Sequence, residues 1–273
     1  MDPAVIGLKP GAKATYRLVH LRVMGMATTL HNLILLVPAF NEEANIASLL
    51  AEIRTAWPDI PVCVIDDHSL DGTRRLLQSA GCDHLHLPCN LGVGGAMQAG
   101  FRYALEKGFD FAIRLDGDGQ HPPAECRKLI ERMAVDDMDM VVGSRFLGQR
   151  SYTSTWFRQA GIFVLARALS LICRRRITDP TSGFQIVNRA VMRYFAHQYP
   201  GDYPEPESLA LLSRQGYRVC EVGTAFRPRA TGCSSIRRWG AFFYVFKVGV
   251  ALFVDRCRAI DPRFDRHQVE GGA

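Results

Sequence analysis

From Asn32 onward, short continuous apolar runs alternate with stretches whose apolar residues return at helical spacing. Leu33 to Val37 is one such run, ended by Pro38, as expected of a strand buried on both faces. Ile46, Leu49, Leu50 and Ile53 then predict a helix, with Asn41 as its N-cap and Pro58 beyond its end. Val62 to Ile65 reads as the next strand, followed by a helix from about Asp71. His84 to Leu87 predicts a third strand, Ala96 to Lys107 a helix, and Phe109 to Leu115 a fourth strand. A helix from Pro122 to Ala134 and a strand from Met138 to Val142 continue the series. Repeated strand–helix units imply an α/β fold, a mostly parallel sheet with helices on both faces, and ligands at the carboxyl ends of the strands.

The second half is less regular. It predicts a helix from Trp156 to Cys173, a strand from Phe184 to Val187, a helix from Glu205 to Gln215 and a strand from Tyr217 to Val222. Trp239 to Val254 is a last apolar helix, roughly 24 Å long at 1.5 Å per residue and short of the roughly 30 Å hydrocarbon core. Lys247 interrupts it, and Arg237, Arg238, Arg256 and Arg258 flank it. That pattern suits a helix lying on an anionic leaflet, a dimer contact or a buried packing helix rather than a span. Residues 1–31 mix Lys9, Lys13, Arg17 and Arg22 with apolar residues and contain no apolar core of a secretory signal. The expected organisation is an N-terminal extension (1–31), a main domain (32–235) and a C-terminal helix and tail (236–273).

Composition adds limits. With 48% hydrophobic and 22% charged residues, the chain of 273 is neither disordered nor a membrane bundle. The cysteines, 8 in all, form no C-x-x-C pair, which argues against a zinc ribbon and suits reduced thiols in a cytosol. The net charge of +6 is uneven: residues 144–273 hold 20 Lys/Arg against 9 Asp/Glu, and the rest is net acidic. An acidic front half suits a cation and a basic back half suits phosphate or an anionic surface. No nucleic-acid module is visible, so nucleic acid is not the expected partner.

The chemistry gathers at the predicted strand ends. Asp116 and Asp118 flank Gly117 after the fourth strand, a spacing that lets two carboxylates share Mg²⁺ or Mn²⁺, with Gln120 able to add an oxygen. A solvated turn is the plain alternative. Pro38-Ala39-Phe40-Asn41-Glu42 and Asp66-Asp67-His68-Ser69 end the first two strands. A buried carboxylate there can accept from a base N–H or from ribose hydroxyls, and Asn41 can meet a base edge or cap its helix. Asn90-Leu91-Gly92-Val93-Gly94-Gly95 opens a helix whose backbone N–H groups can approach a pyrophosphate.

These four segments, in order and at this spacing, resemble the family 2 glycosyltransferases, especially the dolichol-phosphate mannose synthase branch. The resemblance spans about Leu33 to Ser235. It implies a GT-A fold, a UDP- or GDP-linked sugar donor, Mg²⁺ or Mn²⁺, and inversion at the anomeric carbon. By the same resemblance Pro38, Ala39, Asn41, Glu42, Asp66, Asp67, Asn90 and Gly95 line the nucleotide site. Asp116, Asp118 and Gln120 hold the metal and diphosphate. Arg145, in Gly143-Ser144-Arg145, and Arg158 would meet an acceptor phosphate, although Ile162 stands one turn on where some relatives carry serine. Asp179-Pro180-Thr181-Ser182-Gly183 resembles another segment near the active site, and an Asx turn is its plain reading. Glu205 or Glu207 falls where hydroxyl-transferring relatives carry a base. Arg227, Arg229, Ser234 and Ser235 could close over the diphosphate as a lid.

The expected activity is thus sugar transfer to a polyprenyl phosphate, with a lipid-linked or cell-surface glycan hydroxyl as the alternative. A sugar nucleotidyltransferase and a non-catalytic binding protein rank lower. The expected place is the cytoplasmic side, peripheral on the inner face of the membrane, as a homodimer or with a small membrane-protein partner.

Overall fold

A computed structural model of the chain describes residues 18–23, 26–147, 156–201, 204–227, 249–250, 261–264 and 266. The first elements, β1 (Leu18–Val23) and β2 (Met26–His31), pair antiparallel with Leu18 opposite His31. This part of the expected N-terminal extension is therefore a hairpin. Its β-branched and apolar residues, interrupted by Arg22 and His20, carry too weak an alternation to announce two strands.

The main sheet has seven strands: β3 (Leu33–Ala39), β4 (Val62–Asp66), β5 (Asp83–His86), β6 (Phe111–Arg114), β7 (Met140–Ser144), β8 (Gln185–Asn188) and β9 (Val219–Gly223). Their spatial order is β5-β4-β3-β6-β8-β7-β9. All neighbours are parallel except β8, which runs antiparallel between β6 and β7. Every residue of β3 is buried, as its continuous apolar run requires. Pro38 does not end that strand. It stays in register with Ile65, and its carbonyl accepts from Gly117 N at 3.2 Å.

Helices α1 (Ile46–Ala56), α2 (Thr73–Ser79), α3 (Gly92–Glu106), α4 (Cys126–Asp136), α5 (Trp156–Ile172), α6 (Arg189–His197) and α7 (Pro204–Arg214) cover the sheet. A 3₁₀ turn, Pro123–Glu125, leads into α4. Two apolar clusters result: one holds Phe101, Leu169, Tyr194 and Phe195, the other Leu35, Ile53, Leu129 and Phe184. Helix α6, absent from the sequence reading, is capped by Asn188, whose side chain accepts from Val191 N at 3.0 Å. Its buried Val191, Met192 and Phe195 fall at helical spacing. Helix α3 begins at Gly92, earlier than its apolar periodicity suggests, because glycines fill its first turn. A Cβ on Gly94 would stand 2.2 Å from the Pro200 carbonyl, so the helix and that loop meet only across a glycine.

Asn41 is not a helix cap. Helix α1 starts after Asn45, and Asn41 sits in the left-handed region at φ 55°. The predicted helix Trp239–Val254 lies outside the described residues, apart from residues 249–250, which are helical. Among the described residues no helix is long and apolar enough to cross a membrane, and the six described cysteines are free.

Candidate active site

The carboxyl ends of β3, β4 and β6 are laced together by the backbone. Ala39 O accepts from Asp67 N at 2.9 Å, and Gly117 bonds Pro38 as above, so the segments after three strands meet in one crevice. Gly117 is required by this approach, because a Cβ there would lie 2.9 Å from Pro38 O.

On one side lie the expected nucleotide residues. Asp66 is buried, with Oδ1 accepting from Ser69 N at 3.0 Å and Oδ2 lying 2.7 Å from His86 Nδ1. His86 stacks on His68, ring centroids 5.8 Å apart. Asp67 is buried at the start of α3, where its Oδ1 accepts from Leu91 N at 2.7 Å. Burial raises the Asp67 carboxyl above its ordinary pKa despite the bonds from Leu91 and Gly92. Asn90 donates from Nδ2 to the Asp67 carbonyl at 3.3 Å and accepts from Gly92 N, while Gly95 sits in the same first turn of α3. Asn41 Oδ1 accepts from Leu70 N at 2.8 Å, and Glu42 accepts from Asn45 Nδ2 and donates its N–H to Thr73 Oγ1. These contacts shape the loops that carry Asn41 and Glu42. The structure brings the expected nucleotide set into one wall of the crevice.

Asp116 and Asp118 form its floor. Arg114, two residues before Asp116 and almost wholly buried, donates from Nε to Asp116 Oδ1 at 2.9 Å. Its Nη1 lies 2.9 Å from Glu205 Oε1, an ion pair without the alignment of a hydrogen bond. Burial would raise the Asp116 carboxyl, but Arg114 and His121 outweigh it and hold it below the ordinary range. Asp118 Oδ1 accepts from Gln120 N at 3.0 Å, and Gln120 O accepts from Arg227 N at 2.9 Å. His121 is buried against Phe184 and Phe226, and burial pushes its pKa down to about 4. It is therefore neutral near pH 7, with Nδ1 accepting from Asp116 N at 3.1 Å.

Among the described residues no group of three or more His, Cys, Asp or Glu side chains gathers as a metal cage. Asp116 and Asp118 instead present hard carboxylate oxygens at a half-buried floor, a donor set that suits Mg²⁺ or Mn²⁺ completed by substrate phosphates and water.

Arg145 lies beyond His121. Its Nε and Nη2 donate to Asp179 Oδ2 and Oδ1 at 2.7 and 2.6 Å, and its guanidinium sits 5.3 Å from the Phe226 ring. Asp179 is fully buried, so the plain turn reading of its segment gives way to a buried ion pair. Arg145 also lines a groove of about 1040 Å³ along α5, with Phe146, Ile162, Ala166 and Arg167. Arg158 belongs to α5, but its side chain is outside the described residues, as are Arg229, Ser234 and Ser235. Arg227 is described, and its guanidinium forks onto Glu52 of α1 at 2.8 and 2.7 Å. Glu207 is half-buried in the first turn of α7, beside Glu205.

Sequence reasoning missed Arg114 and His121. The available signal was an arginine inside the otherwise apolar run Phe111-Ala112-Ile113-Arg114-Leu115, since a charge in a buried strand requires a partner. Gly183 belongs to the same arrangement: a Cβ there would lie 2.6 Å from Arg114 Nη2 and 3.0 Å from Asp116 Oδ2. Gly183→Ala is expected to displace the Arg114–Asp116 pair and cut turnover by about a hundredfold. Steady-state kinetics beside a thermal melt checks this; unaltered turnover would show that the pair's position is immaterial.

The fold is that of the GT-A glycosyltransferases. Glucosyl-3-phosphoglycerate synthase from Mycobacterium tuberculosis, crystallised with Mn²⁺, uridine diphosphate and phosphoglyceric acid, matches with a TM-score of 0.64 at 19% identity, over 85% of this chain and 80% of that one. The Glycosyl transferase family 2 profile matches residues 34–196, and the chain belongs to that family. It is 29% identical over 227 residues to undecaprenyl-phosphate mannosyltransferase of Micrococcus luteus, covering 75% of this chain and 92% of the relative. Polyprenol monophosphomannose synthase of Mycolicibacterium smegmatis is 28% identical over 243 residues, covering 83% and 90%. The chain is a family 2 glycosyltransferase.

Proposed function

We propose that this enzyme moves a hexosyl group, mannosyl in keeping with the names of these relatives, from a nucleoside diphosphate to a polyprenyl phosphate. The observation that carries the acceptor class is the groove beside Arg145, whose cationic and apolar walls suit a phosphate bearing a hydrocarbon tail. It connects to the floor through Phe226 and His121, and the Arg145 charge is felt at Asp116.

In this reading Asp67, Asp66 and the first turn of α3 hold the nucleotide. Asp116 and Asp118 would hold the divalent cation, which when bound neutralises charge on the departing diphosphate. Arg114 orients Asp116 from a buried position. The acceptor phosphate, already ionised, attacks the anomeric carbon. The new C–O bond forms as the bond to the diphosphate breaks, with inversion and no proton to remove. Arg145 and Arg167 position the phosphate. A hydroxyl acceptor needs a base, and Glu205 has Oε1 against Arg114, which argues for the phosphate reading.

Incubating the full chain with Mg²⁺ or Mn²⁺, a nucleotide-sugar panel and a polyprenyl phosphate is expected to release nucleoside diphosphate and form a polyprenyl-phosphate sugar, followed by mass. Glycosylation of a glycan hydroxyl alone would overturn the acceptor class. For the nucleotide wall, Asp67→Ala is expected to weaken nucleoside diphosphate binding about tenfold or more, since bonds to charged groups are worth roughly 1.5–3 kcal/mol. Equal affinities by calorimetry would remove Asp67 from the site.

A further inference from the structure

We propose that Glu221 is a positioning residue for the acceptor: its carboxylate sets the loop that aims Arg145 at the acceptor phosphate. The inference rests on the polyprenyl-phosphate reading above. Glu221 lies on β9, at the edge of the sheet, level with Val142 of β7. A charge in a strand otherwise made of Val219, Cys220, Val222 and Gly223 requires a partner. Among the described residues its carboxylate bonds backbone and hydroxyl rather than a cation. Thr178 N donates to both oxygens at 3.0 and 2.8 Å, Asp179 N to Oε1 at 2.9 Å, and Thr178 Oγ1 to Oε2 at 2.6 Å. Successive backbone N–H groups form an anion cradle, and here the chain's own carboxylate fills it.

Residues 173–184, between α5 and β8, contain no helix or strand, so contacts rather than a ladder define their path. Asp179 accepts from Arg145 N, Nε and Nη2, and Thr181 Oγ1 accepts from the same Nη2 at 2.6 Å. Ser144 Oγ, next to Arg145 in the chain, lies 2.7 Å from Thr178 Oγ1. A shift of the 178–179 backbone therefore turns the guanidinium that lines the groove. The arrangement is held against electrostatic opposition. Burial raises the Glu221 carboxyl above its ordinary range, the bonds from Thr178 and Asp179 offset only part of this, and the Asp179 charge adds to it. Asp179 itself is fully buried. Two neighbouring acids in such a place are a local conflict, which is expected where a site rather than the core dictates the residues.

Steady-state transfer by the full chain to a short-chain, water-soluble polyprenyl phosphate tests this, beside donor hydrolysis without acceptor and a thermal melt. Glu221→Gln is expected to raise the acceptor KM by about tenfold or more, because its amide nitrogen turns an N–H toward an N–H donor. The nucleotide-sugar KM and the hydrolysis rate should stay within about twofold, a split that a general loss of structure would not give. Glu221→Asp keeps the charge but is one methylene short of spanning both N–H groups. It should raise the acceptor KM by a smaller factor, and it reads the same split if the Gln variant does not fold. In a cycle with Arg145→Lys the two effects should be non-additive, since Glu221 acts through Arg145. A parent-like acceptor KM, an equal loss of hydrolysis and transfer, or additive effects in the cycle would each overturn the inference. A parent that does not use polyprenyl phosphate at all overturns the acceptor reading and this inference with it. A working parent beside an unaffected Glu221→Gln enzyme overturns the inference alone.

Discussion

Asp118→Asn is expected to fold as the parent does and to lose sugar transfer by about a hundred- to a thousandfold, the usual consequence of removing one electrostatic element from a reaction centre. The substitution keeps an oxygen to accept from Gln120 N, so the turn Asp116-Gly117-Asp118-Gly119 retains its local bond. What disappears is one of two carboxylate charges at the crevice floor. Asp118 is half-buried on a loop, and no apolar packing depends on it, so the thermal midpoint should stay within a few degrees. Turnover by mass-detected product, with and without added Mn²⁺, is the measurement. Parent-like transfer in the variant would sink the cation reading of this pair.

The second large effect separates two acceptor chemistries and tests a buried ion pair. Asp179→Ala leaves the nearly buried Arg145 guanidinium without its two-pronged partner. Breaking such a pair costs about 3–5 kcal/mol, or roughly 10 °C in melting midpoint for a domain of this size. A milder change, Arg145→Lys, keeps the charge but not the planar fork, and should lower transfer to polyprenyl phosphate more than it lowers stability. Glu205→Gln keeps an oxygen facing Arg114, so its loss should stay within about tenfold. Removing a true general base would cost two to four decades, roughly, in rate. A dead Glu205→Gln enzyme beside a nearly normal Arg145→Lys enzyme would replace the phosphate acceptor with a hydroxyl.

Much of this architecture is local and was readable residue by residue. Apolar runs such as Leu33 to Val37 report burial on both faces, and Ile46, Leu49, Leu50 and Ile53 report a helical stripe. Because Asp, Asn or Gly follows each run at once or within four residues, the chemistry-bearing loops fall at strand carboxyl ends on the sequence alone. The four motifs in register led to the same family that the profile match establishes. Asn41 shows the limit of such reading: a good capping residue before a helix instead took a left-handed turn, because Asn45 and not Asn41 adjoins α1.

The remaining features join residues far apart in the chain. Arg145 meets Asp179, 34 positions away, and Arg114 reaches Glu205 on α7. Neither pairing has a periodicity to betray it, since a charge in sequence says only that a partner is required and not where it lies. The antiparallel insertion of β8 between β6 and β7 is likewise invisible locally: strand pattern records which faces are buried, not direction or neighbour. Hydrophobic spacing and turn chemistry therefore determined most elements from β3 onward, though not the β1–β2 hairpin or α6, and the location of the Asp116–Asp118 floor. Only the tertiary structure decided which charges neutralise one another there, because burial without water makes each buried charge depend on a partner that sheet order, rather than chain order, delivers.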